Sequence, residues 1–249
     1  MSQFWLLLDF DNTLMKTEHL AVPSLILRFN EMYQDRIGRS LTLAEFKTHF
    51  HGQARENLCE NLSRHFGIQI DYRDLYRDRE WHIMEILRHE KVEMAPGLIP
   101  ALQRLQKEGF QFAFVSNNPI QRGLAAMRNA QNGEGETLAR FFGTAFFEAG
   151  DIQKPKPDVY LRAMTQLETN PAFCFAIEDS VTGASAAVNA DIPTLGYTYF
   201  ADNPGEMAQK LKSKGVLETF SDWDSLANYL ILEKQSNSPK FFKGAFDVS

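Results

Sequence analysis

Apolar residues occur in two contrasting rhythms. Phe4-Trp5-Leu6-Leu7-Leu8 is a short unbroken run that stops at Asp9. Phe110 to Val115 stops at Ser116-Asn117-Asn118, and Phe173 to Ile177 stops at Glu178-Asp179-Ser180. Short continuous runs without alternation suit strands buried on both faces, as in a parallel sheet. Thr144 to Phe147 and Pro193 to Tyr197 form a weaker pair of the same kind. Elsewhere the apolar spacing changes to that of helices. Leu98, Ile99, Leu102 and Leu105 predict one helix, set between Pro96-Gly97 and Gly109. Val159, Tyr160, Ala163, Met164 and Leu167 predict another. Ala184, Ala187 and Val188 predict a third with Ser180 as its N-cap, and Trp223, Leu226, Ala227 and Leu230 a last one opened by Asp222.

The stretch between the first two strands reads differently. Strand signals nearly vanish, and four helical patterns follow: Leu20, Ser24, Leu27 and Met32; Leu43, Phe46 and Phe50; Leu58, Leu62 and Phe66, stopped by Gly67; and Leu75 through Leu87. An all-helical segment inserted into an alternating helix–strand chain gives this pattern. The expected organisation is an α/β doubly wound parallel sheet formed by residues 1–15 and 94–234, a helical insertion over 16–93, and a polar C-terminal extension over 235–249. Met94-Ala95-Pro96-Gly97 is the expected return linker.

Composition narrows the chemistry. The 249 residues carry 26 basic and 32 acidic side chains, a net charge of -6, which gives no broad footprint for nucleic acid. The two cysteines, Cys59 and Cys174, are too few and too far apart for a disulfide framework or a thiolate zinc site. Only five apolar residues run together before Asp9, too few for a secretory signal or for a span of about 20 residues. The expectation is a cytoplasmic protein with no membrane partner. All six histidines fall at or before His89, so the rest of the chain has no imidazole to work with.

In an open α/β sheet, ligands bind beyond the carboxyl ends of the strands. That rule gathers Asp9, Asp11, Ser116, Asn117, Glu178 and Asp179 into one crevice. Crowded carboxylates repel and need a cation or shared protons. An all-oxygen donor set suits Mg²⁺. Alone, Asp-x-Asp is commonly a turn and Glu-Asp-Ser a helix start; their joint position at strand ends is the informative feature. Lys154, in Lys154-Pro155-Lys156-Pro157-Asp158-Val159-Tyr160, supplies an ammonium held by a rigid Pro-x-Pro frame.

These segments resemble the motifs of the haloacid dehalogenase-like hydrolase superfamily. Asp9-Phe10-Asp11-Asn12-Thr13-Leu14 is similar to its first motif, Ser116 after Phe112-Ala113-Phe114-Val115 to its second, Lys154 to its third, and Ile177-Glu178-Asp179-Ser180 to its fourth. The order and spacing also match, over residues 1 to about 232. The helical insertion resembles the small cap of the phosphoglycolate phosphatase and β-phosphoglucomutase branch. The resemblance implies a Rossmann-like core and a phosphatase acting on a small phosphorylated metabolite. Asp9 would be the nucleophile that forms an aspartyl-phosphate, and Asp11 the general acid and base. Asp9, the Asp11 carbonyl and Asp179 would hold Mg²⁺, with Glu178 a ligand directly or through water. Ser116, Lys154 and the backbone N–H groups of Phe10 and Asn117 would bind the phosphoryl group, with Thr13 and Ser180 as supports. The dehalogenases of the superfamily lack the second aspartate, so Asp11 favours phosphate transfer.

Substrate choice is less legible. His51-Gly52-Gln53-Ala54-Arg55-Glu56-Asn57 resembles the specificity loop of the cap, which would make Gln53 and Arg55 substrate contacts; a surface ion pair for Arg55 is the alternative. Thr17 and His19 stand where the hinge into the cap would begin, and His65, His82 and His89 fit helix faces. Ala21 occupies the place where the mutase resemblance expects a histidine, and Asn12 replaces a common glycine. A sugar phosphomutase is therefore the alternative reading, and a non-catalytic phosphometabolite-binding protein a more distant one. The oligomeric state stays open, and a monomer is compatible with the sequence.

Overall fold

The computed structural model describes residues 3–50, 55–77 and 79–235. The chain divides into two compact units, Met1–Lys16 with Lys91–Ser249, and Thr17–Glu90. Strand β1 (Phe4–Leu8) opens the first unit. Helices α1 (Glu18–Ile37), α2 (Leu43–His49), α3 (Arg55–Phe66), α4 (Tyr72–Arg77) and α5 (Arg79–His89) then form the second. The first unit resumes with α6 (Leu98–Lys107), β2 (Phe110–Ser116), α7 (Ile120–Arg128), α8 (Gly135–Phe142) and β3 (Phe146–Glu148). It closes with α9 (Asp158–Gln166), β4 (Cys174–Glu178), α10 (Val181–Asn189), β5 (Thr194–Tyr197), α11 (Pro204–Lys212), β6 (Glu218–Phe220) and α12 (Trp223–Gln235).

The six strands form one sheet in the order β3-β2-β1-β4-β5-β6, every pairing parallel. The expected doubly wound sheet is thus present. Side chains alternate faces along a strand. Leu7 stands beside Ala113 and Ala176 and packs with Tyr160, Ala163 and Ala187 from α9 and α10. Leu6 and Leu8 are equally buried on the opposite face. Helices on both faces explain why these strands are continuous apolar runs. The winding reverses at β1, so the crevice beyond β1, β2 and β4 is the switch point of the sheet.

The loop after β1 has a defined form. Thr13, Leu14 and Met15 donate their N–H groups to the Phe10 carbonyl, and Asn12 donates to Met15. Asn12 has φ of 58°, a left-handed conformation that asparagine tolerates better than most residues. That accounts for asparagine where glycine was the common residue. Lys16 N–H pairs with Glu93 and Ala95 N–H with Leu14, so the strand-end loop and the return segment run side by side.

The helical unit has its own core. Leu25, Phe29 and Tyr33 of α1 pack with Phe46, Leu62 and Leu75. Leu20 and Ser24 are buried as expected, but Leu27 is 50% exposed, and the buried stripe of α1 continues through Leu25, Ile26 and Phe29. The expected pattern from Leu75 to Leu87 is helical on either side of Asp78, in α4 and α5, and Asp78 itself lies outside the described residues. Asn30 clamps the α1–α2 connection by accepting from Leu41 N at 2.7 Å and donating to Leu41 O at 3.0 Å. His82 is buried with Nε2 3.3 Å from Glu31, as a structural histidine should be. Residues 51–54, including His51 and Gln53, lie outside the described residues, as do 236–249 of the C-terminal extension. Among the described residues, no helix is long and apolar enough to cross a membrane.

Three helices and one strand carry weak sequence signals. β6 has only three residues at the sheet edge, without an apolar run. The buried face of α7 is made of small residues such as Gly123, Ala125 and Ala126, and a Cβ on Gly123 would lie 2.7 Å from the Phe114 ring. The short helices α8 and α11 complete the set.

Glu45 is the electrostatic tie of the helical unit. It accepts both terminal nitrogens of Arg39 at 2.7 Å and His65 Nε2 at 3.0 Å. Arg39 chiefly, aided by His65 and opposed by burial, lowers its pKa to about 2. A lowered folded-state pKa gives stability that is full above the ordinary value of 4.5 and is lost as pH falls towards 2. Glu45→Gln should therefore cost about 1 kcal/mol at neutral pH. Urea denaturation at pH 7, 4.5 and 3 should show that difference shrinking at the lowest pH, and a pH-independent difference would contradict the ion-pair account.

Candidate active site

Strand termination places the polar groups. Asp9 follows β1 directly, Ser116 and Glu178 are the last residues of β2 and β4, and Asp179 follows β4. Lys154 arrives from the loop between β3 and α9, with its backbone N–H bonded to Asn117 Oδ1 at 2.8 Å. Its ammonium contacts three oxygens: Asp9 Oδ1 at 2.7 Å, Glu178 Oε1 at 2.7 Å and Val115 O at 3.0 Å. Thr13 Oγ1 lies 3.2 Å from Asp9 Oδ2 and 3.5 Å from Asp179 Oδ1. One hydroxyl proton cannot serve both carboxylates.

Glu178 is fully buried. Besides Lys154, its Oε1 accepts the Tyr160 hydroxyl at 2.5 Å, while Oε2 has no hydrogen-bond partner among the described residues. The carboxylate lies against Gly183 in the first turn of α10, where an added Cβ would stand 1.8 Å from Oε2. Ser180 caps that helix through its Oγ, 3.0 Å from Gly183 N–H, in the supporting role expected of it.

Burial, the Glu178 charge and the Asp11 charge push the Asp9 carboxyl up to about 8, against the pull of Lys154. Burial disfavours the Lys154 charge, but Asp9 and Glu178 more than offset it and raise its pKa above the ordinary lysine value. Lys154 is thus a permanent cation, and two carboxylates, Asp9 and Glu178, share it. Asp9, Glu178 and Asp179 offer oxygens within 4.8 Å of one another, the one such metal-capable group among the described residues. Excess negative charge, a bare buried carboxylate oxygen and an all-oxygen donor set all fit a hard divalent cation such as Mg²⁺. A bound cation would also draw the Asp9 pKa back down.

The Asp11 carboxylate turns away from this cluster. Its Oδ2 accepts Asn118 Nδ2 at 2.8 Å and Ser116 Oγ at 3.3 Å, and its Oδ1 lies 3.6 Å from the buried Arg122. Only its backbone carbonyl is left as a candidate metal ligand. Phe10 buries its ring against Phe114 at 5.0 Å, which leaves its backbone for any phosphate contact. Asn117 has a side-chain duty, anchoring the Lys154 loop, that its expected backbone role did not include. Gln53 is outside the described residues, and Arg55 begins α3 with its side chain outside them. Thr17 is buried at the start of α1 and His19 is exposed.

Sequence reasoning missed Asn118, Arg122 and Tyr160 as parts of the site. Asn118 could have been found from its place in the polar run after β2. Arg122 had one usable signal, a lone arginine amid the small residues of an apolar helix face. Tyr160 had none, because it sits at a helix position that any core aromatic could occupy.

A doubly wound sheet with a lysine-bridged acidic cluster at its switch point is an α/β architecture with a polar centre where such folds bind ligands. Residues 5–191 match the haloacid dehalogenase-like hydrolase family, and the chain belongs to it. It is similar to a phosphoglycolate phosphatase of Psychrobacter arcticus, 26% identical over 96% of this chain and 100% of that one. It is also similar to a β-phosphoglucomutase of Bacillus subtilis, 26% identical over 58% of this chain and 64% of that one. Among solved structures, a haloacid dehalogenase-like protein of Agrobacterium tumefaciens superimposes with a TM-score of 0.73 at 21% identity, covering 94% of this chain and 100% of that one.

The wedge at Gly183 generates a prediction. Glu178 is pinned by Lys154 and Tyr160 and cannot retreat, so Gly183→Ala should destabilise the protein by at least about 2 kcal/mol. Thermal unfolding should show a fall of several degrees. A variant that melts with the wild type would mean that Glu178 has another place to go.

Proposed function

We propose that the protein is a Mg²⁺-dependent phosphatase that hydrolyses a small phosphorylated metabolite, of sugar phosphate or phosphoglycolate type, through an aspartyl-phosphate on Asp9. The observation that carries the reading is the Lys154 ammonium bridging Asp9 and Glu178 beside Asp179. A carboxylate meant only for structure has no need of a buried lysine and two acidic neighbours at a strand end.

Asp9 attacks phosphorus, forming the acyl-phosphate bond as the bond to the leaving oxygen breaks. Asp11 gives that oxygen its proton, then takes a proton from the water that attacks the aspartyl-phosphate. Inorganic phosphate leaves and Asp9 is restored. Asp11 suits both tasks because its carboxylate is tethered by Asn118 and Ser116 rather than absorbed in the acidic cluster. Lys154 orients Asp9 and offsets the repulsion between the carboxylate and an incoming dianion. Asp9, Asp179, Glu178 and the Asp11 carbonyl would hold Mg²⁺, which when bound screens the nucleophile and polarises the phosphoryl group. Ser116 and the N–H groups of Phe10 and Asn117 would receive phosphoryl oxygens. We assign the helical insertion the role of a cap that reads the leaving group, with Gln53 and Arg55 as its substrate contacts.

Hydrolysis is preferred over mutase chemistry because Ala21 stands where the mutase resemblance expects a histidine. The relatives do not separate the two readings, since a phosphatase and a mutase are each 26% identical.

Phosphate release from a generic aryl phosphate should require Mg²⁺, cease on chelation and return on adding the ion. Asp9→Asn should lower kcat by roughly 10³-fold or more while the protein stays folded. An Asp9→Asn enzyme with wild-type turnover would remove the nucleophile assignment. Sugar 1-phosphates converted to their 6-phosphate isomers without free phosphate would turn the reading to a mutase.

A further inference from the structure

Tyr160 has no part in the reaction as proposed, yet its hydroxyl reaches the centre of the site. It is fully buried in the first turn of α9 and donates to Glu178 Oε1 at 2.5 Å. The same oxygen takes one proton of Lys154 at 2.7 Å, and the other two go to Asp9 Oδ1 and Val115 O. The ammonium is therefore saturated, and Tyr160 is the one neutral donor on the Glu178 carboxylate among the described residues. Gly183 closes the carboxylate from the α10 side, and Oε2 is left without a hydrogen-bond partner.

Packing does not call for the hydroxyl. The Tyr160 ring lies among Leu7, Ala113, Val115 and Ala176, where a phenylalanine would fill the same space. A buried hydroxyl is costly unless it is bonded. Burial and the Glu178 charge also hold the phenol well above its usual pKa, so it remains a donor. Without it, a wholly buried carboxylate would rest on Lys154 alone and compete harder with Asp9 for the ammonium.

We propose that Tyr160 is a positioning residue: with Lys154 it holds the Glu178 carboxylate through Oε1, so that the carboxylate stays beside Asp9 and Asp179 to receive Mg²⁺ or its bound water and Lys154 stays shared with Asp9. This rests on the metal-assisted reading of the site, and the experiment is chosen to separate the two.

Tyr160→Phe, Glu178→Gln and the double variant would be compared with wild type by calorimetric Mg²⁺ titration, by kcat and KM for an aryl phosphate, and by melting without metal. Tyr160→Phe should bind Mg²⁺ roughly tenfold more weakly, the scale of one hydrogen bond to a charged group. Its kcat should fall by a similar factor, with KM changed by less than about twofold. In the Glu178→Gln background the Tyr160 change should remove little more, because both act through one carboxylate. A purely structural tyrosine would lower the melting temperature and leave Mg²⁺ affinity untouched, and that result overturns the proposal. A full loss that persists in the Glu178→Gln background also overturns it. Mg²⁺ binding with the expected coupling, but no turnover of any phosphate, would support the Tyr160 role and overturn the phosphatase reading instead. A wild type that releases phosphate without binding Mg²⁺ would overturn the role of Tyr160 and the metal reading together.

Discussion

Two carboxylates, Asp9 and Glu178, are buried side by side at the ends of neighbouring strands, and one ammonium holds them there. Like charges in a poorly hydrated place repel strongly, and a single unpaired carboxylate would be neutral. Lys154 makes the arrangement tolerable, and much of the local structure serves Lys154. Asn117 fixes its backbone, Val115 takes its third proton, and Tyr160 completes the shell of Glu178. Gly183 is present because no side chain fits against that carboxylate. The balance is still incomplete: Asp179 adds a third negative charge to the same cluster. Such a group of three carboxylates could hold a divalent cation.

The sheet makes this possible by geometry rather than by stability. Strand order β3-β2-β1-β4-β5-β6 places β1 between β2 and β4, so residues about a hundred and more positions apart end on one rim. Helices cover both faces, so the strands can be wholly apolar until the residue where each ends. At Asp9 the run of leucines gives way to the polar residues of the site. The helical unit obeys different rules. Its stability rests on a separate aromatic and aliphatic core and on local ties such as Asn30 with Leu41 and Arg39 with Glu45.

The legible elements were those with strong apolar runs or full helical periodicity. β1, β2 and β4 were plain because each is buried on both faces and is followed at once by polar residues. β6 was not, because an edge strand of three residues has neither run nor alternation. Helix α7 was hidden by its small residues, which let it approach Phe114 closely but give little apolar contrast.

The residue types at the strand ends determined, without any structure, that an acidic, lysine-assisted centre would sit beyond a parallel sheet. Spacing and order sufficed for this, since strand termination forces those residues to one edge. Which groups touch was decided only by the tertiary structure. Glu178 is shared by Lys154 and Tyr160, and Asp11 is turned towards Asn118, Ser116 and Arg122. These contacts join different elements, and those of Tyr160 and Arg122 depend on how a helix packs against the sheet. No local pattern encodes that, because a tyrosine that fills a core and a tyrosine that orients a carboxylate occupy the same helical position.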